Sequence, residues 1–76
     1  VIKIQEKKKL ADISTNIRII LKNVYLETSE YGQHRFYSAD IYLVNKKIGK
    51  MNNIEAKNVL DFKNKVLVKI YNNIKI

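Results

Sequence analysis

Phe36-Tyr37-Ser38-Ala39-Asp40-Ile41-Tyr42-Leu43-Val44 decides the fold. Side chains of an extended chain alternate between two faces. One face of this stretch is then Tyr37, Ala39, Ile41 and Leu43; the other is Phe36, Ser38, Asp40 and Tyr42. An apolar side opposite a mixed one is the pattern of a half-buried antiparallel strand. Asn45-Lys46 follows at the place for a two-residue turn, where Asn tolerates positive φ. Lys47-Ile48-Gly49-Lys50-Met51 reads as the returning strand. Upstream, Val24-Tyr25-Leu26-Glu27-Thr28 reads as a third strand, joined through the loop Ser29-Glu30-Tyr31-Gly32-Gln33. The centre of the chain is a three-stranded meander.

Working outward, Leu10, Ile13 and Ile17 are spaced by three and four, which fits a short amphipathic helix from Lys7 to about Arg18. A strand over Ile17–Val24, dense in β-branched residues, is the competing reading. Residues 1–5 read as a short strand or the tail of a preceding element. After the meander, Asn52-Asn53 reads as a helix N-cap, with Glu55 in the first turn where its charge suits the helix dipole. Val59, Phe62, Val66, Ile70 and Ile74 keep the helical spacing, so a second helix is expected from about Ile54 to Tyr71. The expected fold is α+β, in the order α-β-β-β-α. Two helices cover one face of the sheet, since three strands alone bury too little surface.

The chain has 76 residues, one domain near the lower limit for a core without staples. It has no cysteine, so neither a disulfide framework nor a thiolate metal site, and no cofactor is expected. No apolar run approaches the ~20 residues of a membrane span. The chain begins Val1-Ile2, which reads as a fragment of a longer protein or a processed product. Lys3 and Glu6-Lys7-Lys8-Lys9 interrupt any signal-peptide core, and an intracellular location is expected. The formal net charge is +8, which points to a polyanionic partner, nucleic acid before membrane. Thirteen Lys, twelve Ile and nine Asn, with no proline, also indicate an A/T-rich genome that raises lysine independently of function. Residues 46–76 hold eight Lys against Glu55 and Asp61, so the excess charge lies mainly in the C-terminal part.

Between Leu10 and Leu67 the order of elements and several residues resemble a double-stranded RNA-binding domain. Tyr25 stands at the place of that family's first strand. Gly32-Gln33-His34 resembles its Gly-Pro-x-His loop, shortened and without the proline. Phe36, Ala39 and Ile41 match its second strand, and Asn45-Lys46-Lys47-Ile48-Gly49 its turn and third strand. Asn52-Asn53-Ile54-Glu55-Ala56-Lys57-Asn58 resembles the Ser-Lys-Lys-x-Ala-Lys start of its second helix, with the paired lysines replaced by Asn53 and Ile54. The alanine-rich pattern that follows in the family is lost after Leu60. Such domains are appended to ribonuclease III and Dicer-type enzymes, and the start of this chain fits an appended module over about residues 7–72.

The resemblance implies recognition of A-form RNA by shape, through minor-groove 2′-hydroxyls and phosphates. It places one contact surface on the first helix (Lys8, Lys9, Asp12, Thr15). A second lies on the loop (Gln33, His34, Arg35) and a third at the second helix start (Lys50, Asn52, Asn53, Lys57). The lost lysines predict a shallower salt dependence than an intact domain would show. Two other readings stand beside it. One is the same fold used for protein contact or dimerisation, which an exposed Ile54 beside Met51 would favour. The other is a basic phage or plasmid protein that binds DNA or a host factor. The aromatics Tyr25, Phe36, Tyr37 and Tyr42 read as core or sheet-face residues. A stacking platform for single strands is the functional alternative, which Asp40 on the same face disfavours. No carboxylate pair with a contrast in pKa and no Gly-rich phosphate loop is present, and His34, Asp40 and Ser38 would place Ser38 and Asp40 on one strand face with no oxyanion site, so an enzyme is not expected.

Overall fold

The computed structural model describes residues 4–15 and 17–73. Among these residues five antiparallel strands precede a single helix: β1 (Ile4–Leu10), β2 (Ile13–Ser14), β3 (Ile19–Ser29), β4 (Arg35–Leu43), β5 (Lys46–Glu55) and α1 (Val59–Asn73). Across the sheet the order is β1-β3-β4-β5, with β2 paired to the start of β3. The expected α-β-β-β-α order with two helices is therefore corrected to a five-stranded sheet with one helix.

The alternation that β4 displays fixes which side is buried. Tyr37, Ala39 and Ile41 are buried, together with Ile19, Leu21 and Val24 of β3 and Met51 of β5. Leu43, expected on the same face, is 40% exposed at the end of the strand. Phe62 and Val66 of α1 close this core with no exposed surface, and the Phe62 ring stacks on Tyr37 with centroids 5.0 Å apart. Ile70 packs against the same cluster, so the helical spacing of 62, 66 and 70 does mark the inner face. Ile74, which continues the series, lies outside the described residues, as do residues 1–3.

The first expected helix is replaced by two strands. Leu10 and Ile13 do both pack on the core, but from β1 and β2, either side of the Ala11-Asp12 turn. Ile17, which a helix would have buried beside them, is 57% exposed. β3 is 11 residues long and needs a partner on each side; β1 supplies it from Ile4 to Leu10, with Leu10 opposite Val24 and Lys8 opposite Leu26. Of residues 1–5, expected as a short strand or a tail, Ile4 and Gln5 belong to this strand.

The second helix begins later than expected. Tyr37 pairs with Ile54 and Ala39 with Met51, so Ser38 faces two residues, Asn52 and Asn53, in a bulge. Asn53 takes a φ of 52°, and its N–H donates to Ser38 Oγ at 3.2 Å. Strand pairing runs on to Ala56, whose N–H donates to the Arg35 carbonyl. The N-cap is Asn58: its Oδ1 accepts from the Asp61 N–H at 2.8 Å, while Asp61 Oδ2 accepts from the Lys57 N–H at 3.0 Å. The hairpin turn between β4 and β5 is Val44-Asn45, one residue earlier than expected. Both residues have positive φ, 48° and 65°, as a type I′ turn requires.

Candidate nucleic-acid interface

α1 covers one face of the sheet. Among the described residues no element packs on the other face, and the register assigns its residues row by row. Lys7, Glu27, Phe36 and Glu55 form one row across the four long strands. Lys9, Tyr25 and Ser38 form the next, ending on the Asn52-Asn53 bulge. Lys22, Asp40 and Lys50 follow, then Ile20, Tyr42 and Lys47. The aromatic rings thus stand on the two central strands. Lysines stand on both outer strands, with Lys22 between.

This arrangement follows from strand order and the bulges. β1 is an edge strand, where long charged side chains are tolerated. Its alternate residues Lys7 and Lys9 share the open face. The bulge at Asn23, with a φ of 51°, shifts β3 by one residue, so that Lys22 and Tyr25 both reach this face. Lys7 Nζ lies 5.1 Å from the Tyr25 ring centroid, and Lys22 Nζ lies 4.8 Å from that of Tyr42. Both are cation–π contacts. Lys7, Asn23, Tyr25, Glu27, Lys50 and Asn53 contribute to the lining of a shallow hollow, and Phe36 with Ile4 extends it toward His34. His34 stacks on Phe36 at 6.1 Å and 18°, and its Nδ1 lies 2.9 Å from Glu55 Oε2.

Two of the three carboxylates of the face, Asp40 and Glu27, have lysine neighbours. Asp40 Oδ2 accepts from Asn23 Nδ2 at 2.9 Å, and Lys47 Nζ lies 3.4 Å from Asp40 Oδ1. The Asn23 hydrogen bond, then Lys47 and Lys50, hold the Asp40 carboxyl below the usual carboxylate range, against the opposing effect of partial burial. Glu27 stands opposite Lys7, and Glu55 meets His34. The objection that Asp40 raises to a nucleic-acid platform is therefore reduced: its charge is taken up within the protein. Lys7, Lys9, Lys22, Lys47 and Lys50 outnumber Glu27, Asp40 and Glu55.

The residues expected from the sequence divide into groups. Lys9, Lys50, Asn52 and Asn53 come together on or beside the open face. Gln33, Arg35 and Lys57 share a separate cleft with Gly32, Asp61 and Lys65 at the start of β4, where Arg35 Nη1 donates to the Lys57 carbonyl at 2.9 Å. Asp61 there is held below the usual range, first by the Lys57 N–H and then by Lys65. His34 stands between the two groups. Asp12 is exposed in the β1–β2 turn, apart from both, and Lys8 lies on the helix side of the sheet. The Thr15 hydroxyl is spent on the carbonyls of Ile17 and Ile19. Lys7 and Lys22 were not expected as contacts, and Tyr25 and Tyr42 were expected as such only in the alternative of a single-strand stacking platform. The signal that marks them is an aromatic or lysine at alternate positions of neighbouring strands, which is legible only once the strand order is known.

Among the described residues there is no group of three or more His, Asp or Glu placed to hold a metal ion, and no helix long and apolar enough to cross a membrane. No protein-family model matches the chain, and no curated protein or solved structure matches it either.

Proposed function

We propose that this chain binds nucleic acid through the open face of its sheet. One observation carries the reading: half-buried aromatic rings on the central strands, flanked by lysines on both outer strands. Phosphates release counterions when they meet lysines, and rings on a flat sheet offer π-faces to bases. The duplex-shape expectation rested on a first helix and on a helix N-terminus near Asn52. In this fold both places are strands, so the three-surface ruler that the resemblance implies is not assembled. The protein-contact alternative looked to an exposed Ile54 beside Met51. Met51 is instead buried and Ile54 packs against the core.

The test is a titration with a short RNA duplex, the matching DNA duplex and a single-stranded RNA at several salt concentrations. Binding is expected to weaken with salt. Lys9→Gln and Lys50→Gln should each lower the log–log salt slope by about 0.7–0.9. Binding unaffected by both substitutions would sink the proposal.

A further inference from the structure

Resting on the nucleic-acid reading above, we infer that the strand this face takes is single, and that Tyr25 and Tyr42 are its two base-stacking sites, each opened by displacing a lysine. Both rings lie half-buried on the open face, and each carries an ammonium group over its π-surface, Lys7 on Tyr25 and Lys22 on Tyr42. An exposed cation–π contact is weaker than a base stacked on an aromatic ring. A base can therefore take the ring, and the freed ammonium remains within reach of the phosphate that arrives with that base. The exchange keeps every charge paired: the lysine leaves a ring quadrupole for a full negative charge.

The two sites are spaced along the sheet. Tyr25 stands opposite Ser38, and Tyr42 is four residues further along β4, about 13 Å at ~3.3 Å per residue. Asp40 lies between them, its carboxylate occupied by Asn23 and Lys47. Phe36 is different in kind, because its ring already stacks with His34. In a duplex the faces of the bases are engaged with one another, so a duplex can use the lysines of this surface but not its rings.

The experiment compares a short oligouridylate and a short oligothymidylate with an RNA duplex, using the full chain and its Tyr25→Leu, Tyr42→Leu, Tyr25→Phe and Tyr42→Phe variants. Circular dichroism confirms that each variant is folded. Each Leu substitution should weaken single-strand binding about tenfold and leave the salt slope unchanged. Duplex binding should stay within about twofold, and the Phe variants should retain the parent affinity. In the parent chain, which has five Tyr and no Trp, tyrosine fluorescence should be quenched by the single strands. If the Leu variants bind single strands as the parent does, or lose single-strand and duplex affinity equally, the stacking sites are wrong. Sensitivity to Lys9→Gln and Lys50→Gln would in that case leave the general nucleic-acid reading standing. Loss of that sensitivity would remove both.

Discussion

On its helix side β4 presents Tyr37, Ala39 and Ile41 to Phe62 and Val66; on its open side the same strand presents Phe36, Ser38, Asp40 and Tyr42 to solvent. Tyr37 is 2% exposed with its ring against Phe62, whereas Tyr42 is half-buried with a lysine over its face. The residue type is the same and the burial differs. An aromatic side chain on a strand therefore says nothing about core or interface until its cross-strand partner is known. Leu26 and Ile54 opposite, with Phe62 above, make Tyr37 a structural residue; Tyr42 has Lys47 opposite on one side and Lys22 diagonally over its ring, both mobile and charged.

The strongest way to break this contrast is to remove the ring that defines the inner face. Phe62→Ala should cost about 3–5 kcal/mol, since Phe62 is fully buried and the cavity cannot fill. That loss is large against the ~5–15 kcal/mol stability of a small domain. Urea denaturation should therefore show a variant close to unfolded at room temperature. Tyr42→Leu, on the open face, should shift stability by less than about 1 kcal/mol. Comparable losses from the two would erase the distinction between the faces.

The contrast also depends on register, because a slip of one residue exchanges the faces of a strand. The Val44-Asn45 turn sets the register of β4 on β5, and Val44 is a β-branched residue at a φ of 48°. Left-handed backbone is unfavourable for such a residue and easier for Asn. Val44→Asn keeps the N–H that donates to the Arg18 carbonyl and should raise stability by about 1 kcal/mol. Binding should not change, because Val44 lies in the turn beyond the last row of the face. A fall in thermal midpoint would mean that the strain argument fails.

The smallest effect sharpens the electrostatics of the open face. Asp40 has a folded pKa below its unfolded value, so its contribution is present above the unfolded value, near 4. It is lost as pH falls through the lowered folded value. Asp40→Asn should remove that part of the acid-induced loss, visible as a flatter dependence of thermal midpoint on pH below about 4. It should also tighten nucleic-acid binding modestly, since Lys47 and Lys50 lose a neighbouring anion. An unchanged acid profile would show that the Asn23 and Lys47 contacts with Asp40 do not persist in solution.

Much of β4 and α1 was legible because their periodicities are long and clean: alternation through Phe36–Leu43, and three-four spacing through Phe62, Val66 and Ile70. β1 was not legible. An edge strand rich in lysine buries little, so it leaves almost no alternating apolar signal, and Leu10 and Ile13 fell at helical spacing by coincidence of two separate strands. The helix start was misplaced because Asn52, Asn53 and Asn58 all have capping chemistry. Only the pairing of Ile54 with Tyr37 and of Ala56 with Arg35 decides among them. The candidate face shows the same limit. Lys9, Lys50, Asn52 and Asn53 were singled out for their charge or polarity, but their proximity to Tyr25 comes from strand order, which local patterning does not encode.

The lysines on the outer strands have a consequence for how copies of this chain coexist. Among the described residues no strand lies beyond β1 or β5, so each exposes a row of backbone donors and acceptors, the template on which sheets grow from one molecule to the next. Lys7, Lys8 and Lys9 crowd positive charge along one edge, and the bulges with Lys46, Lys47 and Lys50 distort and charge the other. Two such edges repel before they can align. The side chains proposed to meet phosphate thus also guard against fibrillar assembly. A multiple-lysine variant that loses affinity should be checked by light scattering before the loss is assigned to the face.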